Sequence, residues 1–283
     1  MGPSVETWRA MSPEAKERFL QEVNAAFSDP NLLMTEGRRH KRAKSRAADM
    51  LDLHFKRSGR VIYVAEEMSV VYPGEPSFAP DVLAVLDVAE PEDDPRMAWV
   101  VADEGKGIDF VLEVLDRGDR NKDLIYNVER CARLGIVEYF VYDRGAQRVH
   151  GHRLPSPEAR KYERIVPQGG WYPSKVLGLD LAIQDGSLRF FDGMAELFGS
   201  DDLIRRLTGM VDSLEAKAAE AEARADEALN GLRTAVLRTL EARGLAVDEK
   251  AHERVMACEE PATLQRWLLR ALSAGSTAEA MAD

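Results

Sequence analysis

The chain has little cysteine and no long apolar run, and each shortage argues against a class of protein. Its two cysteines, Cys131 and Cys258, lie far apart in 283 residues, which argues against a disulfide framework and against a cysteine-based zinc site. No apolar run approaches the length of a membrane span, and the first residues lack the apolar core of a signal peptide. The sequence therefore predicts a soluble, cytoplasmic protein without a membrane partner.

Basic residues are also in deficit, because 38 lysines and arginines face 49 acids and leave a net charge of −11. This balance argues against a general nucleic-acid coat protein, but it leaves room for a local basic surface. The densest basic stretch could hold a phosphate backbone on one face of a helix or could simply be solvated. Its candidate nucleic-acid-binding residues are Arg39, Lys41, Arg42 and Arg46. No interleaved aromatic residues suggest stacking on single strands.

The order of predicted elements indicates an α/β or α+β domain with a mixed sheet. Helices are predicted over residues 12–27 and 38–57, followed by a series of short β segments. A helix predicted over residues 119–134 turns Ile125 inward, ends at Gly135 and is followed by further strands. The predicted strands are 61–65, 68–72, 82–88, 97–101, 110–115, 137–142, 149–154 and 162–166.

The composition changes after Phe191, where residues 201–243 become rich in alanine and charge. Apolar residues at 203, 207, 210 and 214 follow 4-3-4 spacing, and an alanine seam from 218 to 232 continues one residue out of phase. We expect a weak coiled coil or a tight helical hairpin. The predicted domains are an N-terminal helical extension (1–30), an α/β domain (31–193), a coiled coil (194–245), a small helical cap (246–273) and a disordered tail (274–283).

Two acids interrupt apolar strand-like runs, and they are the strongest candidates for chemistry. Asp81 follows Pro80 at the start of one run, and Glu113 lies in the middle of another. Each acid alone could lie on an exposed strand face or in a buried ion pair, but the two together favour a site for a divalent cation. Mg²⁺ is the natural ligand for such a site, with Mn²⁺ as a possible substitute. Glu67 is a weaker candidate on the same sheet face.

A lysine near the two acids could orient an attacking water or offset developing charge in phosphodiester hydrolysis. Lys122, at the start of the helix after Glu113, is the best candidate, although it could equally be a solvated lysine paired with Asp119 or Asp123. Lys106 lies in a predicted hairpin loop and is a weaker candidate.

These motifs, with Leu112-Glu113-Val114 and the stretch from Gly135 to Asp143, resemble the PD-(D/E)xK nuclease superfamily. The resemblance is to its bacterial family of restriction-endonuclease-like proteins, and it covers roughly residues 30–192. It implies an α/β fold with a mixed β-sheet core flanked by helices, here followed by an α-helical coiled-coil tail. It also implies that Asp81 and Glu113 are the metal-binding acids. Glu36 could assist them, or it could be a helix-start carboxylate favoured by the helix dipole.

Two positions depart from the pattern that the resemblance implies. The superfamily pattern places a lysine two residues after the glutamate, but this chain has Leu115 there. Many family members instead supply a lysine from the following helix, and this chain has Asn127 at that position. The leading hypothesis is a Mg²⁺-dependent DNA endonuclease that dimerises through its helical tail. The alternatives are a catalytically silent module that binds nucleic acid or protein, and a scaffold in which the coiled coil is the functional part.

Overall fold

The computed structural model describes residues 1–28, 38–91, 93–116 and 120–282. The chain forms two compact units, Met1–Leu203 and Ile204–Asp283. The prediction for Glu36 falls outside the described residues.

The first unit combines short helices with three sheets. Its helices are α1 (Val5–Ala10), α2 (Pro13–Ser28), α3 (Arg38–Ser58), α4 (Val101–Glu104) and α5 (Asn127–Arg133), with a π-helical turn at Lys122–Tyr126 leading into α5. Its strands are β1 (Ile62–Glu66), β2 (Val70–Val71), β3 (Val82–Leu86), β4 (Trp99–Val100), β5 (Phe110–Leu115), β6 (Glu138–Asp143), β7 (Arg148–Arg153), β8 (Glu163–Arg164), β9 (Tyr172–Ser174), β10 (Leu179–Gln184), β11 (Ser187–Asp192) and β12 (Ala195–Glu196).

The main sheet has six strands in the order β1-β3-β5-β6-β7-β8. β5 and β6 run parallel, because α5 crosses between them, and every other neighbouring pair in this sheet is antiparallel. A four-stranded antiparallel sheet, β12-β11-β10-β9, and the parallel pair β2-β4 complete the unit. The predicted α/β fold with a mixed sheet and flanking helices is confirmed.

Two hydrophobic cores cover the two faces of the main sheet. Phe110, Leu112 and Val114 alternate along β5 and pack on one side with α3 and the second sheet. Val111 and Leu115 point to the other side, which α5 and Trp99 cover. Since β5 is buried on both faces, its sequence is a nearly continuous apolar run.

The N-terminal helices pack on this unit. Trp8 and Val23 are buried against Val71 and Val100, so α1 and α2 form a small core of their own beside the β2-β4 pair. The predicted N-terminal extension covers residues 1–30, and its described part, residues 1–28, belongs to the same compact unit as the sheet.

The second unit is helical. Its helices are α6 (Ser200–Ala242, whose first residues belong to the first unit), α7 (Glu249–Met256), α8 (Pro261–Ala271) and α9 (Thr277–Ala280). Val236 and Leu240 of α6 pack with Val255, Leu264 and Trp267 in one core. None of the described helices has the length and apolarity needed to cross a membrane.

The end of the chain differs from the predicted disorder at residues 274–283. Ser276 caps α9, and Ala280 and Met281 are buried in the helical core. The small residues that suggested disorder instead allow the last turn to pack closely against its neighbours. Coiled-coil assembly of α6 stays a prediction.

Candidate active site

The strand register brings three acids into one row. Val82 of β3 pairs with Leu112 of β5, so Asp81 lies directly opposite Glu113. On the other side, the amide of Glu67 donates to the carbonyl of Asp81 at 3.2 Å. Glu67, Asp81 and Glu113 therefore stand side by side at the ends of β1 and β3 and within β5.

Backbone hydrogen bonds fix the two central carboxylates. The amide of Asp81 donates to Oε2 of Glu113 at 3.3 Å, and the amide of Val114 donates to Oδ2 of Asp81 at 2.6 Å. Each acid is thus held by the backbone of the other strand. This reciprocal arrangement gives the two side chains a defined geometry.

Glu113 is buried on the face of the sheet that α5 covers, and only 8% of it is exposed. Burial raises the pKa of its carboxyl well above the usual value, and the negative charges of Asp81 and Asp123 raise it further. The charge of Lys122 opposes this effect. Leu115, on the same face, is buried in apolar surroundings, so the position of the expected lysine belongs to the core.

Asp81 has the opposite electrostatic character. Burial alone would raise the pKa of its carboxyl, but hydrogen bonds from His40 and the Val114 amide, together with the charge of Lys44, hold it below its usual value. His40 Nε2 lies 3.8 Å from Asp81 Oδ1. The site thus combines one acid that is readily ionised with one that favours its proton, a separation that is typical of functional carboxylate pairs.

Lys44 is the functional candidate that the sequence interpretation missed. Only 2% of its side chain is exposed, its amine lies 3.4 Å from Asp81 Oδ1, and the same amine contacts Glu67. A buried lysine is unusual unless it is paired. The signal was present in the sequence, because Lys44 continues the buried stripe of α3 formed by Ala47, Leu51 and Phe55 at helical spacing.

The π-helical turn determines which side chain of the following helix lies beside Glu113. The turn inserts one residue into the helical repeat, and Ile125, predicted to face inward, is instead 55% exposed. Asn127 then lies at the first turn of α5 with its Nδ2 3.2 Å from Asp123 Oδ1 and 3.5 Å from Glu113 Oε1. An amide therefore stands beside Glu113 where the resemblance implies a lysine.

The two lysines favoured by the sequence have different positions. Lys122 is exposed and lines an open concavity with Asn121, Ile125 and Tyr126, near enough for its charge to act on Glu113. Lys106 instead pairs with Asp109 at 3.2 Å. Lys122 thus lies at the border of the site, and Lys106 stabilises a turn.

The predicted basic face divides into two groups. Arg39, Lys41 and Arg42 are exposed in the first turns of α3, close to His40 and hence to the acid row. Arg46 is partly buried and makes an ion pair with Asp202. Three cations at a helix start oppose the helix dipole, so an anion bound there would relieve an unfavourable arrangement.

Two further acids lie in the stretch from Gly135 to Asp143, and both are paired with neighbouring groups. Glu138 is fully buried and accepts hydrogen bonds from Arg153 at 2.6 Å and from the amide of Lys175 at 2.8 Å. Asp143 accepts from Arg120 and from the amide of Ala146. These acids tie β6 to neighbouring segments.

The acid pair fits a hard divalent cation. Within the described residues, no three His, Cys, Asp or Glu side chains gather as a complete metal cage. Two convergent carboxylates with water as the remaining ligand are a typical Mg²⁺ arrangement. Glu67, which is 57% exposed and contacts Lys44, borders this pair.

The mixed sheet and its acid row define an α/β protein of the restriction-endonuclease-like class. The family model described as Uma2, putative restriction endonuclease, matches residues 17–184, which is more than half of the chain. The chain belongs to this family.

Comparison with solved structures gives a putative nuclease of DUF820 from Anabaena variabilis ATCC 29413, with 18% identity and a TM-score of 0.42. The match covers 54% of this chain and 82% of that one. Comparison with curated proteins gives no match.

Proposed function

We propose that the protein is a Mg²⁺-dependent endonuclease that hydrolyses phosphodiester bonds of DNA. The observation that supports this most strongly is the pairing of Asp81 with Glu113 on neighbouring strands, each bonded to the backbone of the other. Membership in the family of putative restriction endonucleases supports the same reaction class.

Asp81 and Glu113 would hold the cation. When bound, it supplies charge to polarise the phosphate and lowers the pKa of a coordinated water. Because burial raises the pKa of the Glu113 carboxyl, protonation of this group would compete with cation binding as pH falls. Asp81 is already ionised at neutral pH and would provide the first attraction.

Two lysines could supply the positive charge that this reaction uses. Lys44 is held beside Asp81, and two carboxylates fix its amine. Little further conformational entropy would therefore be lost when this amine acts in the reaction. Lys122 lies at the exposed border, where it could contact a phosphate of the substrate. We assign water orientation or charge stabilisation to Lys44 and retain Lys122 as a candidate for substrate contact.

DNA would approach over the start of α3. Arg39, Lys41 and Arg42 are exposed there, and His40 of the same turn reaches toward Asp81. Contacts from these side chains to phosphates would place the backbone near the acid row without reading its sequence. Arg46 supports the helix through Asp202 and has a smaller part in this proposal.

One observation favours a second candidate, a catalytically silent module that binds nucleic acid or a protein partner. Asn127 and Leu115 leave both expected lysine positions without an amine, and Lys44 is itself neutralised by Asp81 and Glu67. If the ion pairs of Lys44 persist in the loaded protein, the site would bind a cation but lack a free acid or base for hydrolysis.

Cleavage of supercoiled plasmid and linear DNA under Mg²⁺ and then Mn²⁺ separates the candidates. The variants are Asp81→Asn, Glu113→Gln, Lys44→Met and Lys122→Met, with Glu163→Gln, at an exposed position of β8, as the matched control. We expect metal-dependent cutting by wild type and the control, and loss by at least a hundredfold in the two acid variants.

The two lysine variants then show which lysine supplies the amine that acts in hydrolysis. A loss in Lys44→Met with unchanged DNA affinity supports the assignment to Lys44, and a loss only in Lys122→Met moves the role to Lys122. Absence of cutting by folded wild type that still binds DNA would favour the silent module.

A further inference from the structure

We propose that α6 forms a parallel, in-register, two-stranded coiled coil with a second copy of this chain. The inference develops the self-association expected of the proposed nuclease, but it concerns a different surface from the acid row. It begins from an apolar stripe on α6 that remains exposed.

The exposed stripe lies in the first half of the helix. Every residue from 204 to 228 is exposed, although α6 continues unbroken to Ala242. Ile204, Leu207, Val211 and Leu214 are between 51% and 63% exposed. Most helix stability in proteins comes from packing of an apolar face, so a long exposed helix with such a stripe calls for a partner.

The stripe continues without a phase shift. Counting from Ile204, rather than from the partly buried Leu203, gives uninterrupted 3-4 spacing. The positions are Ile204, Leu207, Val211, Leu214, Ala218, Ala221, Ala225, Ala228 and Leu232. The phase defect expected from the sequence arises only when the seam is started at Leu203. This regular heptad pattern predicts a left-handed two-stranded supercoil.

The residue types at the seam select the number of strands. In this frame Ile204 and Val211 occupy the a positions, and Leu207 and Leu214 occupy the d positions. β-branched residues at a with leucine at d favour two parallel strands over trimers and tetramers. The alanine layers that follow let the two helices approach closely but bury little area, so the first half of the seam provides most of the stabilisation.

The flanking charges select the orientation. Lys217 and Arg224 occupy g positions, and Glu215 and Glu222 occupy e positions. In a parallel pair, Lys217 of one copy faces Glu222 of the other, and the two-fold axis makes this contact twice. In an antiparallel pair, g positions face g positions and e positions face e positions, which would bring like charges together. The charge pattern therefore favours the parallel arrangement.

The test is the solution mass of the full chain, measured by sedimentation equilibrium over a dilution series. We expect a species of twice the chain mass of 31.6 kDa. The double variant Leu207→Glu with Leu214→Glu should halve this mass, because both side chains are exposed in the single chain and their loss leaves its fold intact. The matched control, Ala216→Glu with Ala223→Glu on the opposite face, should remain dimeric.

Disulfide trapping tests the orientation. In a Cys258→Ser background, Leu207→Cys should form a covalent dimer on mild oxidation, while Ser213→Cys, on the outer face, should not. A monomeric wild type, a trimer, or a dimer that survives the double glutamate variant would overturn the proposal. A dimer without the Leu207→Cys cross-link would overturn its parallel register. None of these readouts depends on nuclease activity, so the two proposals can fail separately.

Discussion

Replacing Glu113 with glutamine should make the protein more stable while removing its proposed activity. Glu113 is a buried carboxyl with a raised pKa, flanked by the charges of Asp81 and Asp123. Glutamine has the same shape and keeps an oxygen that can accept from the Asp81 amide. It carries no charge that has to be desolvated, so the change removes a cost from the folded state.

The size of the effect follows from the weakness of the hydrogen bonds that replace the water lost by the buried carboxylate. Its hydrogen bonds, from the Asp81 amide and Asn127, measure 3.3 and 3.5 Å, which are long for a charged acceptor. An incompletely compensated buried polar group costs about 1–3 kcal/mol. We therefore expect Glu113→Gln to raise the free energy of unfolding by about 1–2 kcal/mol at pH 8, or the melting temperature by about 2–8 °C.

The pH dependence provides the sharper test. Because folding raises the pKa of Glu113 above 4.5, the folded state binds more protons than the unfolded state above that pH, and wild type loses stability as pH rises. The glutamine variant lacks this loss. Its advantage should be small near pH 4.5 and should grow toward pH 8.

Urea unfolding followed by tryptophan fluorescence measures this difference. In a Trp267→Phe background, the remaining tryptophans, at 8, 99 and 171, report on the first unit alone. Glu163→Gln, on an exposed strand end, serves as the charge-matched control and should leave the midpoint unchanged. Adding Mg²⁺ should stabilise wild type more than the variant. A variant that is less stable than wild type at pH 8, or an advantage independent of pH, would refute the reasoning.

Three further predictions concern other parts of the first unit. Burial lowers the pKa of His152 to about 4, with smaller effects from Arg164 and His150, so the stability that its neutral form provides should be lost as pH falls from 6.5 toward 4. His152→Gln should make the urea midpoint of unfolding depend less on pH over that range. Gly151→Ala should destabilise the fold by about 1–3 kcal/mol, because a new Cβ would lie 2.9 Å from the Phe140 ring; thermal unfolding would detect it. Arg42→Ala should reduce the salt slope of DNA binding by about 1, measured by fluorescence anisotropy on unrelated duplexes; an unchanged slope would remove Arg42 from the interface.

The sequence predicted the elements with strong patterns. β5 was predicted and observed at residues 110–115, because a central strand buried on both faces has a continuous apolar run. α3 was predicted at 38–57 and observed at Arg38–Ser58, because its apolar residues follow helical spacing. The link between Asp81 and Glu113 could be proposed from their strand contexts, but their direct opposition depends on register, which local sequence does not specify.

Two features of the site were not predicted from the sequence. Lys44 lies within the densest basic stretch of the sequence, so its charge masked its place in the buried stripe of α3. The exposure of Ile125 required the π-helical turn, which shifts the helical phase by one residue and leaves no clear pattern in sequence. The pairing of Lys44 with Asp81 and Glu67 is a tertiary contact, which helical spacing alone does not specify.

The burial of Glu113 also bears on the history of the chain. Most proteins lie close to a stability threshold, and mutations that relieve an internal cost are readily accepted once the function that required the cost has been lost. One nucleotide change converts a glutamate codon to a glutamine codon, so random mutation readily produces the Glu113→Gln substitution. If the proposed cation site is the function that requires this cost, that step would stabilise a lineage that no longer binds the cation. Retention of the glutamate at position 113 is then the outcome expected under selection for the proposed site.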